Sequence, residues 1–244
     1  MKNYIVVLFT SIFVFCGCQG KEGPVGPTLS GDIVGTVKVV DTLGNYTNLD
    51  GVLVQLEETQ YSTHSDSSGL WRLVGVKSGT YVLSLSKPGF STAKNTSFQF
   101  IGGIEPTDAS YFYLYQIPSV YVKALKSPLL NQNILTINGT LSSIPGPNYS
   151  QAIVIFAGPD SNATMLANKH LSVYSQYFAA TDTFSTQLYF GFFKTAGMTT
   201  GSKLYFVGYT AANMYAGYKD VATQEFVFSG LCSKPSNIVS LVVP

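Results

Sequence analysis

Residues 50–90 read DGVLVQLEETQYSTHSDSSGLWRLVGVKSGTYVLSLSKPGF. Val52-x-Val54-x-Leu56 places an apolar residue at every second position, Trp71-x-Leu73 repeats the period, and Tyr81-x-Leu83-x-Leu85 repeats it again. Successive side chains of a strand point to opposite faces, so the pattern spells a half-buried β-strand three times over. Turn chemistry separates the strands. Ser65-Asp66-Ser67-Ser68-Gly69 supplies side-chain acceptors for nearby amides, and Gly69 adopts a positive φ without steric cost. Ser78-Gly79 and Lys87-Pro88-Gly89-Phe90 make the next two turns. Upstream, residues 33–40 read as a strand and residues 41–50 as a turn region with Gly44-Asn45; downstream, residues 111–115 alternate again.

The motifs Asp50-Gly51-Val52-x-Val54, Asp66-x-x-Gly69-x-Trp71-x-Leu73-x-Gly75-Val76, Gly79-x-Tyr81-x-Leu83 and Pro88-Gly89-Phe90 follow one another in a fixed order. In that order they resemble the carboxypeptidase-regulatory-like family, over about 80 residues from Gly35 to Leu114. The resemblance implies a transthyretin-like, seven-stranded β-sandwich related to Cna-B modules, an accessory domain and not a peptidase. Two positions depart from the pattern: Lys77 replaces a common Pro, and Trp71 replaces Phe or Tyr. Some Cna-B relatives cross-link a Lys to an Asn or Asp. Lys38, the one Lys in the first strand, alternates with Val37 and Val39 and is expected to face solvent, so no cross-link is expected.

Beyond residue 117, strand signals recur at 120–125, 134–141, 152–156, 171–174, 184–190, 204–209, 224–228 and 238–242. Turn clusters at 145–148, 158–162 and 197–202 separate several of them. Such spacing argues for a second antiparallel sandwich. Gly201-Ser-Lys-Leu-Tyr205-x-Val207 is similar to the tyrosine-corner strand of immunoglobulin- and fibronectin-like domains. Residues 163–169 are the one candidate for a short helical turn. The expectation is an all-β chain with two consecutive antiparallel β-sandwiches, transthyretin-like over 32–117 and immunoglobulin/fibronectin-like over 118–244.

The N-terminus carries an address. Lys2 precedes an apolar run at 4–15, which suits a signal peptide and is too short for a membrane span of ~20 residues. Phe15-Cys16-Gly17-Cys18 resembles the bacterial lipobox. That resemblance implies a signal peptide at 1–17 and a lipid on Cys18, and several acyl chains hold a protein firmly on a membrane. Residues 18–31 read as a Gly/Pro linker, with Pro24 and Pro27 favouring an extended path. Lys21-Glu22, just after the lipobox Cys, resemble the export tag of surface lipoproteins in Bacteroidetes-type bacteria. The expected location is the outer membrane, lipid-anchored and surface-exposed.

Composition excludes more than it assigns. Charged residues are 11% and the net charge is +1, with no basic stripe, which disfavours nucleic acid. Of three Cys, Cys16 leaves with the signal and Cys18 takes lipid, so Cys232 has no disulfide partner and reads as a buried apolar residue. His64, in a polar loop before the Asp66 turn, and His170, at a strand start, are the only histidines and lack metal-type spacing, and no CxxC occurs. No metal, cofactor or catalytic residue is therefore expected. Ser84-x-x-Lys87 and Ser91-x-x-Lys94 match the SxxK string but fall on a strand end and a turn, where that motif does not work. Glu57 and Glu58 are neighbours on a predicted strand and point apart.

Aromatic residues remain. Phe112 and Leu114 suit the core, which leaves Tyr111, Tyr113 and Tyr115 on the other face; Tyr215 and Tyr218 fall in an Asn/Gly-flanked loop. These five are the candidate ligand contacts, because the phenol ring is apolar with a polar tip. Asp41-Thr42-Leu43 resembles the O-glycosylation string of Bacteroidetes exported proteins, which would modify Thr42. The function expected is a non-enzymatic surface module that binds a glycan, a matrix component or an outer-membrane protein. The alternative is an accessory subunit of an outer-membrane nutrient-uptake complex.

Overall fold

The computed structural model describes residues 29–144, 150–159, 171–178, 181–191, 199–213 and 216–244. The expected signal peptide at 1–17, Cys18, most of the expected linker, the 163–169 segment, His170 and Tyr215 lie outside the described residues. The described chain is all-β, with seventeen strands.

Seven strands build the first part. β1 (Ser30–Val40) lies between β4 (Leu70–Lys77) and β7 (Thr107–Tyr115), and a second sheet runs β3 (Ser62–His64), β2 (Leu53–Leu56), β5 (Gly79–Ser86), β6 (Ala93–Phe100). One core joins the two sheets: Ile33, Val37, Val39, Leu73 and Leu114 from the first meet Val54, Leu56, Leu83, Leu85 and Phe98 from the second. The alternation at 52–56 and the positive φ of Gly69 (78°) are as expected. A Cβ on Gly69 would sit 2.4 Å from the Val37 carbonyl oxygen, so only Gly fits that turn.

Three details differ from the sequence reading. β1 begins at Ser30, inside the expected linker, because Ser30 and Gly31 pair with Lys77 and Val76. β1 and β7 pair in parallel, not antiparallel. A parallel pair needs a long crossover, and β2 to β6 supply it. His64 lies on the short strand β3, paired with Leu53, and not in a loop.

Gly35 on β1 pairs with Trp71 on β4. A Cβ at Gly35 would lie 2.4 Å from the indole and 3.0 Å from the Ser110 carbonyl oxygen. The ring is therefore laid over bare backbone, where it is 4% exposed. Ser110, with φ +67°, marks the irregularity where the β1–β7 register shifts.

In the second part, β8 (Val122–Leu125), β10 (Ile134–Leu141) and β13 (Thr183–Tyr189) form one sheet, with β9 (Leu129–Asn131) also paired to β10. β12 (Leu171–Phe178), β11 (Ser150–Gly158), β14 (Lys203–Ala211) and β17 (Val239–Val242) form the other. Leu135, Ile137, Phe184, Ile153, Ile155, Leu204 and Phe206 make the core shared by these sheets. The opposite face of β11 and β14 is buried too: Val154, Phe156, Val207 and Tyr209 pack under Leu231 and Phe228. The cover is the hairpin of β15 (Gly217–Lys219) and β16 (Phe226–Phe228) with the segment after it. Cys232 is buried there, as expected for an apolar thiol, and its amide donates to the Thr210 carbonyl at 2.9 Å.

The same hairpin reaches the first part. Ser229 Oγ donates to the Thr92 carbonyl at 2.6 Å, and Lys94 Nζ on β6 lies 4.7 Å from the Tyr218 ring centre. Lys94 also pairs with Glu57 at 2.7 Å.

Candidate functional site

β7 presents Tyr111, Tyr113 and Tyr115 on the outer face of its sheet, while Leu114 is fully buried and Phe112 packs on the core. The tyrosines stay together. Tyr113 and Tyr115 have nearly parallel rings 6.0 Å apart, and Tyr111 meets Tyr113 edge-on at 5.6 Å. Tyr111 is 66% exposed and Tyr113 37%.

Two further residues complete the face. Lys38 pairs across the ladder with Tyr113, so it projects on the same side. Tyr46, bridged to Val40 and exposed, places its ring 5.6 Å from Lys38 Nζ. A hydrogen bond to Tyr46 is the main reason the Tyr113 phenol is held above the usual tyrosine value. Tyr115 is raised chiefly by burial. Both are therefore neutral hydroxyls at physiological pH. Tyr46 is absent from the sequence-derived candidates, because nothing in the local pattern of residues 41–50 links it to β7.

The 41–46 loop that carries Tyr46 is tightly tied. The Asp41 carboxylate accepts from the amides of Leu43 and Asn45, each at 2.8 Å, and the Asn45 bond heads the causes that hold its pKa low. Thr42 is half-buried beside it, and its amide donates to Gln116 Oε1 at 3.2 Å.

Tyr218 lies elsewhere. It sits on β15, not in a loop, half-buried against Lys94. Burial alone would lower Lys94, but Glu57 and Tyr218 together hold it above the usual lysine value. This residue joins the hairpin to β6 and does not share a face with the β7 tyrosines.

A groove of about 630 Å³ opens where β3 and β4 meet, lined by Thr36, Thr63, His64, Asp66, Trp71, Arg72 and Asp108. Most of its charged groups serve local structure. Asp66 accepts from the amides of Ser68 and Leu70 at 2.8 and 3.0 Å, and Asp108 accepts from Ser110 at 2.8 Å. Arg72 is paired with Asp32, whose pKa is lowered first by the Gly75 amide and then by Arg72. The SxxK lysines are likewise engaged: Lys87 Nζ donates to the Asn48 and Asp50 carbonyls at 2.6 and 2.8 Å. Among the described residues, no group of three His, Cys, Asp or Glu is placed to hold a metal ion.

No family model matches the chain, and no curated protein matches it. Solved structures do match it. A cohesin–X-dockerin complex from Acetivibrio cellulolyticus aligns with 35% of this chain at 15% identity and a TM-score of 0.30, and the chain covers 58% of that protein's length. A putative carbohydrate binding protein from Bacteroides uniformis aligns over 87% of this chain and 98% of its own, at 17% identity and a TM-score of 0.31. A DUF3823 family protein from Bacteroides ovatus aligns over 87% of this chain and 100% of its own, at 15% identity and a TM-score of 0.32.

Proposed function

We propose that the chain is a lipid-anchored, non-enzymatic binding protein of the outer-membrane surface, with the outer face of β1 and β7 as its glycan-binding site. The observation that carries this reading is the contiguous face of Tyr111, Tyr113, Tyr115 and Tyr46 around Lys38. Sugars present apolar C–H faces and a rim of hydroxyls. Phenol rings offer matching apolar faces, their protonated hydroxyls donate and accept, and the ammonium donates further bonds. The groove beside β4 suits catalysis less well, since its carboxylates are bonded to the amides of their own turns.

The test is a glycan array probed with the full chain, followed by titration of the best glycan. Tyr111→Ala with Tyr113→Ala removes two rings from the face and should weaken binding about tenfold or more, ~1.4 kcal/mol, while leaving the fold intact. Equal affinity of the double variant and the parent would refute this face. Anchoring is tested separately: Cys18→Ala should release the chain from membranes, and continued outer-membrane fractionation would refute the lipid.

A further inference from the structure

We infer that the end of the first sandwich where β1 begins is a membrane-contacting tip, in which Ile101, Ile104 and Leu29 enter the bilayer interface. This rests on the anchoring proposed above and adds an orientation to it.

The residues are placed by backbone. The Ser78 amide donates to the Leu29 carbonyl at 2.7 Å, and the Gly103 amide donates to the Ser30 carbonyl at 3.2 Å. Leu29 and the 101–104 loop are thus tied together at the end of the first sandwich where β1 begins. Gly102 and Gly103 take positive φ values of 82° and 146°, which lets the loop turn sharply and face both isoleucines outward. Ile104 is fully exposed, Ile101 is 77% exposed and Leu29 is 52% exposed. Large aliphatic side chains at a loop tip gain nothing from water, and burying them in an apolar phase is favourable. Lys77 is exposed at the same end, opposite Ser30, where a long side chain with a charged head can reach lipid phosphates.

The place of the tether points to the bilayer as the occupant. Ten residues separate Cys18 from Leu29, about 35–40 Å at full extension, so a lipid on Cys18 keeps this end within reach of the membrane. β1 then runs ten steps from Ser30 to Val40, about 33 Å, away from that end. Because β7 is parallel to β1, Tyr115 lies opposite Val40 at the far end, with Tyr46 bridged to the same residue. In the orientation proposed, the apolar tip lies at the lipid and the tyrosines lie toward the opposite end of β1.

The experiment uses the full lipidated chain with Ile104→Cys, which is fully exposed and should fold normally. A nitroxide is attached there and the protein is reconstituted in phosphatidylethanolamine/phosphatidylglycerol vesicles. Cys232 is buried and should not label. Leu43→Cys, in the loop beyond Val40, is the matched control. The expected result is collision with oxygen but loss of collision with a water-soluble nickel chelate at position 104, and collision with both at 43. A label at 104 that meets both probes is in water, and one that meets neither is buried in protein; either outcome overturns the tip. If the unlabelled parent fails to stay with vesicles, the anchoring is wrong and the tip falls with it.

Discussion

The two halves of the chain solve the same problem differently. In the first, β4 shows the alternation of a strand with one dry face: Trp71, Leu73 and Val76 are buried while Leu70, Arg72 and Val74 are exposed. In the second, residues 152–157 of β11 are buried without interruption, and β14 is nearly so. The difference lies in what covers the outer face. Water wets the outside of β4, whereas β16 and Leu231 lie over β11 and β14. A continuous apolar run is what a strand buried on both faces requires.

The halves also share a device. Gly35 lies under the Trp71 ring, and Gly139 on β10 lies under Phe184, its partner on β13, where an added Cβ would come within 2.4 Å of the ring. In both cases an aromatic side chain covers a cross-strand glycine and shields bare backbone from water.

The largest expected effects test the contrast directly. Phe156→Ala and Ile155→Ala point to opposite faces of β11, yet both should cost several kcal/mol, ~3–5 and ~2–5, by chemical denaturation. On β4, Leu73→Ala should cost a similar ~2–5 kcal/mol while Val74→Ala stays within about 0.5 kcal/mol. If Phe156→Ala proves as mild as Val74→Ala, the second cover contributes no packing. Next in size, Gly35→Ala and Gly139→Ala should each cost ~1–3 kcal/mol, because the ring above must shift. A silent Gly139→Ala alongside a costly Gly35→Ala would show that the device is not shared.

The smallest effect concerns the link between the halves. Lys94→Met removes an ion pair to Glu57 and the contact with Tyr218, and should cost less than about 1 kcal/mol at neutral pH. Lys94 is raised in the folded state, so its contribution is complete below the usual value of 10.5 and is lost as pH rises through the folded value. Tyr113 and Tyr115, also raised, lose theirs above 10.0. Urea midpoints should hold steady from neutrality to about pH 9 and fall above pH 10. The fall should be shallower in Lys94→Met; an identical slope would remove Lys94 as a titrating link.

Local pattern reveals most strands and the tyrosine stripe, since both rest on a period of two. Each strand expected beyond residue 117 has a counterpart among the observed strands. β3, β9 and β15 have no such signal: Ser62-Thr63-His64 is polar throughout, and Leu129–Asn131 and Gly217–Lys219 are three residues each. β6 alternates clearly only at Phe98 and Phe100. Tertiary choices are harder still. The parallel pairing of β1 with β7, the approach of Tyr46 to Tyr113, and the docking of Tyr218 on Lys94 all join residues distant in the chain. The run at 152–157 did carry a readable sign of double burial, because a strand with one wet face does not stay apolar for six residues.

Trp71 is the only tryptophan in the chain, and it sits in the core of the first seven strands with an indole Nε1 that has no hydrogen-bond partner among the described residues. Its emission should therefore be blue in the folded protein and should red-shift only when that core opens. Far-ultraviolet ellipticity reports strands throughout the molecule. Recorded together during one denaturant titration, the two signals separate the melting of the first half from that of the whole, with no label and no mutation.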